Sequence, residues 1–220
     1  MTGSVNAVTT GAPEAFLATR PVTNKTWVPI TQQEARDSGN PFIWYCSGKK
    51  EGELAIWDFV KTHYPSFSVT VLLPGLIFGP PLQPVKSVKS LNFSVGIVYS
   101  LFNGSNATVP ATAFPSSVDA RDLADAHVKV LTNPKAANRR LLIDCRPMTN
   151  TMLARELAKM PEMTGRKLPE ASGEDAKVVF GDFDAAEDNE IIGIQFQSLE
   201  KTVADTARGI LALERKEEGK

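Results

Sequence analysis

Apolar and polar positions alternate along this chain with two different periods, and the switch between them marks out its elements. From Tyr45 to about Val60, Leu54, Ile56, Trp57, Phe59 and Val60 sit among Lys50, Glu51, Glu53 and Asp58, which predicts a helix with one buried face. His63-Tyr64-Pro65-Ser66 ends it. The run Ser68 to Leu73 is β-branched and nearly all apolar, as expected of a strand buried on both faces of a parallel sheet. Pro74-Gly75 and Gly79-Pro80-Pro81 then punctuate a loop at its C-terminal end, where open α/β sheets bind ligands. Further on, Asp119 is placed to cap a helix from about Ala120 to Leu131, with Asp122 as a capping-box partner. Asn133-Pro134 closes that helix, and Arg140 to Ile143 reads as a short strand. Thr149 caps a helix to Lys159 and Ser198 one toward Glu214, followed by a frayed terminus from Arg215.

Alternating strands and helices predict an α/β layer architecture. The polar stretch from Pro161 to Asp188, with Pro169 and scattered glycines, reads as a small appended lobe of the kind that lines a substrate pocket. With 220 residues the chain is long enough for one domain with a real core.

Composition narrows the function classes. A net charge of -1 and 22% charged residues give no general electrostatic footprint for nucleic acid or a membrane surface. Small-molecule chemistry or protein contacts fit better. Cys46 and Cys145 lack zinc-type spacing, so both are expected as reduced thiols and no metal site is expected. The segment Met1 to Arg20 has no basic start followed by an apolar block, and Val69 to Phe78 is too short to span a bilayer. A soluble, cytoplasmic chain is the expectation, and the Asn-x-Ser/Thr matches at Asn24, Asn92, Asn103 and Asn106 then read as chance.

The chemistry concentrates in Trp44-Tyr45-Cys46-Ser47-Gly48-Lys49 and in Thr2-Gly3-Ser4-Val5. A phenol is a poor acid-base catalyst at neutral pH unless its anion is stabilised. Lys49, four residues along the same helix, would supply the stabilising charge, so that Tyr45 could protonate a developing alkoxide. Ser4 could donate a second hydrogen bond to the same oxygen.

These segments keep company that resembles a known family. Thr2-Gly3-Ser4-Val5, the series Tyr45, Lys49, Glu53, Trp57 at four-residue spacing, Pro74-Gly75-Leu76-Ile77-Phe78-Gly79-Pro80 and Val118-Asp119-Ala120-Arg121-Asp122 occur in the order seen in extended short-chain dehydrogenases/reductases. The chain is most similar to the dihydroflavonol 4-reductase-like branch, which includes fungal ketone and aldehyde reductases and polyketide-tailoring ketoreductases. Trp27 to Thr31 and Asn40-Pro41 are also similar to the fungal members.

This resemblance implies a partial Rossmann-type doubly wound parallel sheet with a small C-terminal substrate lobe. The cofactor-domain part would cover residues 1–150 and the substrate lobe with the terminal helix 151–220. It implies an NADP-dependent carbonyl reductase with Ser4, Tyr45 and Lys49 as the catalytic trio. Lys49 would also bond the nicotinamide ribose, and Tyr45 would lie at the cofactor. Pro74, Gly75, Leu76 and Ile77 would pass their backbone along the nicotinamide ring. Glu53 and Trp57 would shape helix packing, while Asp119, Asp122 and His127 are expected to cap or to pack in the core.

The sequence departs from the family in two respects. The family's Gly-x-x-Gly-x-x-Gly turn, which seats the cofactor pyrophosphate on a helix N-terminus, is absent, and the 15 glycines offer no substitute. The catalytic serine is residue four, and a truncated chain or a start at an internal methionine is the expectation. A glycine at position 48 in place of the usual serine also costs about 1 kcal/mol of helix propensity. With the central strands missing, the strand Val69 to Leu73 is expected to expose an unpaired edge, open to self-association or to a complementing chain. Two alternatives to the reductase stay open: a catalytically inactive remnant acting by binding, and a nucleotide-sugar epimerase or dehydratase relative.

Overall fold

The computed structural model describes residues 1–9, 22–171 and 183–219. Of the segment expected as a polar lobe, residues 172–182 lie outside the described residues. The described part is α/β with parallel pairing, as the alternating pattern requires. Packing divides the chain into two compact units whose segments alternate along the sequence.

The first unit comprises 1–75, 123–146 and 179–195. It contains helices α1 (Gln32–Asp37) and α2 (Pro41–His63) and strand β1 (Thr70–Leu73). The last three residues of β1 are fully buried, and β1 runs parallel to strand β4 (Arg139–Leu142), with Val71 opposite Arg140. On its other side Thr2 makes a parallel bridge to Leu72, with Gly3 N–H donating to Leu72 O at 2.7 Å. The expectation of an open β1 edge is therefore corrected, because the segment leading to Ser4 covers it. Close approach explains Gly3: a Cβ there would lie 2.7 Å from Val71 Cγ1 and 2.8 Å from Leu73 Cδ2. Val5, Val8, Val71, Leu73 and Leu142 form the local core.

Helix α2 begins four residues earlier than its apolar period suggests. Asn40 accepts from Phe42 N–H and Pro41 occupies the first turn, where its missing donor costs nothing. Tyr64 in a left-handed conformation ends it. Short α1 is held by a capping box in which Thr31 accepts from Glu34 N–H and Glu34 accepts from Thr31 N–H.

The packing of α2 rests on a buried ion pair. Glu53 is fully buried; it accepts from Arg140 Nε at 2.6 Å and from the Trp57 indole N–H at 3.1 Å. Arg140 also donates to the carbonyls of Asn24 and Thr26, both at 2.7 Å, and its guanidinium lies 3.5 Å from the Trp27 ring centroid. Helix α6 (Ala186–Ile192), which the sequence pattern did not reveal, adds a second buried carboxylate. Asp188 accepts from Leu142 N–H and the Asn24 amide; burial pushes its carboxyl above the usual range, partly opposed by those two bonds.

The second unit comprises 76–122, 147–178 and 196–220. Strands β2 (Leu76–Phe78) and β3 (Ser116–Asp119) pair in parallel, and a short β5 (Arg146–Pro147) joins β3. Helix α3 (Phe93–Ser100), helix α5 (Asn150–Ala158) and the long α7 (Leu199–Glu217) close a core of Phe78, Val98, Phe102, Leu153, Leu157, Val203 and Ile210. The caps expected at Thr149 and Ser198 are both present. The terminus is ordered further than expected, since α7 continues to Glu217.

Asp119 opens helix α4 (Ala120–Val130), accepting from Arg121 N–H as a cap should. It also accepts from the Arg121 guanidinium and from Thr202 Oγ1. Burial alone would push this carboxyl up, but those bonds outweigh it and hold it below the usual carboxylate range. Asp122 accepts from Gln197 N–H, and His127 Nε2 lies 2.9 Å from Thr2 Oγ1, both packing roles.

Two stability predictions result. Replacing Glu53 by Ala leaves a buried guanidinium unpaired, so denaturant unfolding should show a loss of about 3–5 kcal/mol. Arg139→Ala, which breaks the exposed pair with Glu187, should cost no more than about 1 kcal/mol in the same assay. Because the Asp119 carboxyl titrates lower in the folded chain than in the unfolded one, its contribution is complete above the unfolded value and fades as pH falls through the folded one. Asp119→Asn should lower stability at neutral pH by about 2 kcal/mol and flatten the acid limb of the stability profile.

Candidate functional site

Ser4 caps a single 3-10 turn, Val5–Ala7, and is buried. Three backbone bonds pin this segment: Gly3 N–H to Leu72 O, Val5 N–H to Pro74 O at 3.0 Å, and Val28 N–H to Ala7 O at 2.9 Å. The Ser4 hydroxyl is therefore carried on rigid backbone, tied directly to the loop that leaves β1.

Tyr45 and Lys49 lie one turn apart on α2, with Lys49 Nζ 5.8 Å from the Tyr45 ring centroid. Tyr45 is 47% exposed and Lys49 half-buried. Among the described residues no carboxylate pairs with Lys49. Its ammonium is thus available both to the phenol and to a ligand hydroxyl.

Helix α2 packs on the Ser4 turn. The contact is polar as well as steric: Asn6 Nδ2 donates to Cys46 Sγ at 3.6 Å, and Cys46 is the residue after Tyr45. The serine turn and the tyrosine helix are thus neighbours in the first unit. Sequence reasoning missed Asn6, although its place two residues after Ser4 was a signal. Both cysteines, Cys46 and Cys145, are buried.

Pro74 and Gly75 form the loop after β1, whereas Leu76 and Ile77 begin β2 in the second unit. A separate open groove of about 460 Å³ flanks α2, lined by Gln32, Ala35, Arg36, Trp44, Ser47 and Gly48. Trp44 is half-exposed at its rim. No helix among the described residues is long and apolar enough to cross a membrane, and among them no cluster of three or more His, Cys, Asp or Glu side chains is arranged for a metal.

The fit to a nicotinamide cofactor is partial. A free ammonium, a neighbouring phenol and a glycine-containing loop at a parallel strand's C-terminal end suit the nicotinamide and its ribose. The sequence contains no glycine-rich turn for the pyrophosphate.

No protein-family model matches the chain. An oxidoreductase of Schizosaccharomyces pombe is 37% identical over 137 residues, covering 62% of this chain and 40% of the relative. The NADPH-dependent methylglyoxal reductase of Saccharomyces cerevisiae is 28% identical over 196 residues, covering 86% of this chain and 56% of that protein. Among solved structures, Gre2 from Candida albicans in complex with NADPH superposes with a TM-score of 0.82 at 28% identity, over 96% of this chain and 63% of that one. The chain spans about half the length of the curated relatives it matches. In fold the chain is similar to NADPH-dependent reductases of the short-chain dehydrogenase/reductase type, and the methylglyoxal reductases among its relatives are NADPH-dependent.

Proposed function

We propose that this chain carries the proton-transfer centre of an NADPH-dependent reductase of ketones or aldehydes. The observation that supports this most is the pinned Ser4 turn packed against the helix that presents Tyr45 and Lys49. NADPH, when bound, supplies hydride to the carbonyl carbon. The chain's own residues manage the oxygen. Tyr45 gives its proton to the oxygen as negative charge develops there, and Lys49 stabilises the phenolate left behind. Ser4 donates a hydrogen bond to the same oxygen from a buried, preorganised position, where such a bond is strongest.

Lys49 also holds the nicotinamide ribose in this reading, and the backbone of Pro74, Gly75, Leu76 and Ile77 runs along the nicotinamide ring. Residues 1–150 supply the reactive and cofactor-side groups, and residues 151–220 the substrate lobe. The substrate class is a small or secondary-metabolite carbonyl compound, polyketides included. Self-association or a complementing chain belongs to this reading as a partner, beside the small-molecule carbonyl substrate. The outer face of α2 suits such an association, with exposed Trp44, Ala55 and Phe59 around Gly48 and Gly52.

Titrating the purified chain with NADPH tests the reading, because Trp44 reports beside Tyr45. Saturable quenching is expected, and a folded sample that shows none overturns it. Tyr45→Phe should lower carbonyl reduction by about a hundredfold or more while leaving NADPH affinity within about twofold.

A further inference from the structure

Among the described residues, one neighbour both accepts from the Ser4 hydroxyl and donates to it. Ser4 Oγ accepts from Asn6 N–H at 3.1 Å and donates to Asn6 Oδ1 at 3.3 Å. The other end of the same carboxamide donates to Cys46 Sγ. All three side chains are buried, with Cys46 fully so, and bulk water does not compete for these bonds. Burial pushes the Cys46 thiol up, with Asn6's hydrogen bond partly opposing the effect, so the sulfur acts as a neutral acceptor.

We infer that Asn6 is a positioning residue, a carboxamide clamp that sets the rotor of the Ser4 hydroxyl and braces it against the helix bearing Tyr45. Two geometric points carry this. The backbone amide of Asn6 occupies one lone pair of Ser4 Oγ, which leaves the O–H free to swing only through the remaining directions. The bond to Asn6 Oδ1 is long for an O–H donor, whose usual range ends near ~3.0 Å, and it is therefore easily exchanged for a better acceptor such as a carbonyl oxygen. Asn6 holds the proton in the resting site and yields it on demand. Cys46 keeps the carboxamide from turning its NH2 toward Ser4, which would cancel the hydrogen bond.

The inference rests on the reductase reading for its kinetic consequence but not for its geometry, and the experiment has an arm for each. In the ¹⁵N-labelled full chain, Ser4→Ala and Cys46→Ala should each shift the Asn6 side-chain amide resonances, whereas Tyr45→Phe should not. In carbonyl reduction, Asn6→Ala should lower kcat about tenfold with KM within about twofold, and should add nothing in a Ser4→Ala background. Asn6→Asp, nearly isosteric, places a carboxylate that grips the Ser4 proton and repels the developing alkoxide. Its kcat should fall further at neutral pH and recover on acidification, an acid limb that a purely structural role would not produce. Full additivity of Asn6→Ala with Ser4→Ala, or a change confined to KM, overturns the inference. If the wild-type chain reduces no carbonyl, the reductase reading fails and the resonances decide: Asn6 signals indifferent to Ser4→Ala overturn the clamp itself.

Discussion

The buried pair between Glu53 and Arg140 is the constraint from which the candidate site takes its geometry. A fully buried carboxylate is tolerable only when paired and hydrogen-bonded, and here one guanidinium and one indole meet that need. Arg140 sits on β4 opposite Val71 of β1, while its remaining donors hold the carbonyls of Asn24 and Thr26. One side chain thus ties a strand, a helix and the segment that leads toward α1. Surface pairs such as Arg139 with Glu187 have no comparable reach, because both partners remain in water.

The pair also sets how far α2 is rotated about its axis. Tyr45, Lys49, Glu53 and Trp57 are spaced by four residues, and four residues advance about 40° past a full helical turn. The stripe therefore winds slowly around the helix. Once Glu53 is locked inward, Lys49 falls at the boundary and Tyr45 at the surface, which is the observed order of exposure. A chemical series that looks uniform in sequence becomes graded in space. The buried end anchors, and the exposed end stays accessible.

Much of this was legible in the chain itself. β1, β4, α5 and α7 follow from β-branched runs and from side-chain caps, signals carried by a few adjacent residues. Helix α3 was missed because Phe93 to Ser100 is apolar on all sides and gives no helical period. Helix α1 was missed because its capping box serves only six residues. The Glu53 and Arg140 contact joins positions 87 residues apart and has no local signature. The expected open edge of β1 failed for a similar reason: its partner is the three residues before Ser4, too short to announce a strand. At the site, the residue types of the trio were readable, whereas the Asn6 link depends on a turn and a helix meeting in space.

The contrast between Ser4 and Tyr45 has a chemical consequence. Ser4 is buried and its backbone is pinned before any ligand arrives, so only the turn of its O–H away from Asn6 Oδ1 separates the resting hydroxyl from a new acceptor. Tyr45 and Lys49 face water, and there the pull of an ammonium on a phenolate is screened. Covering that end of α2 excludes water and lowers the effective dielectric from about 80 toward about 20, which strengthens the same interaction about fourfold without moving an atom. Under the proposed reading, the attraction between Lys49 and Tyr45 would strengthen only where a ligand covers them.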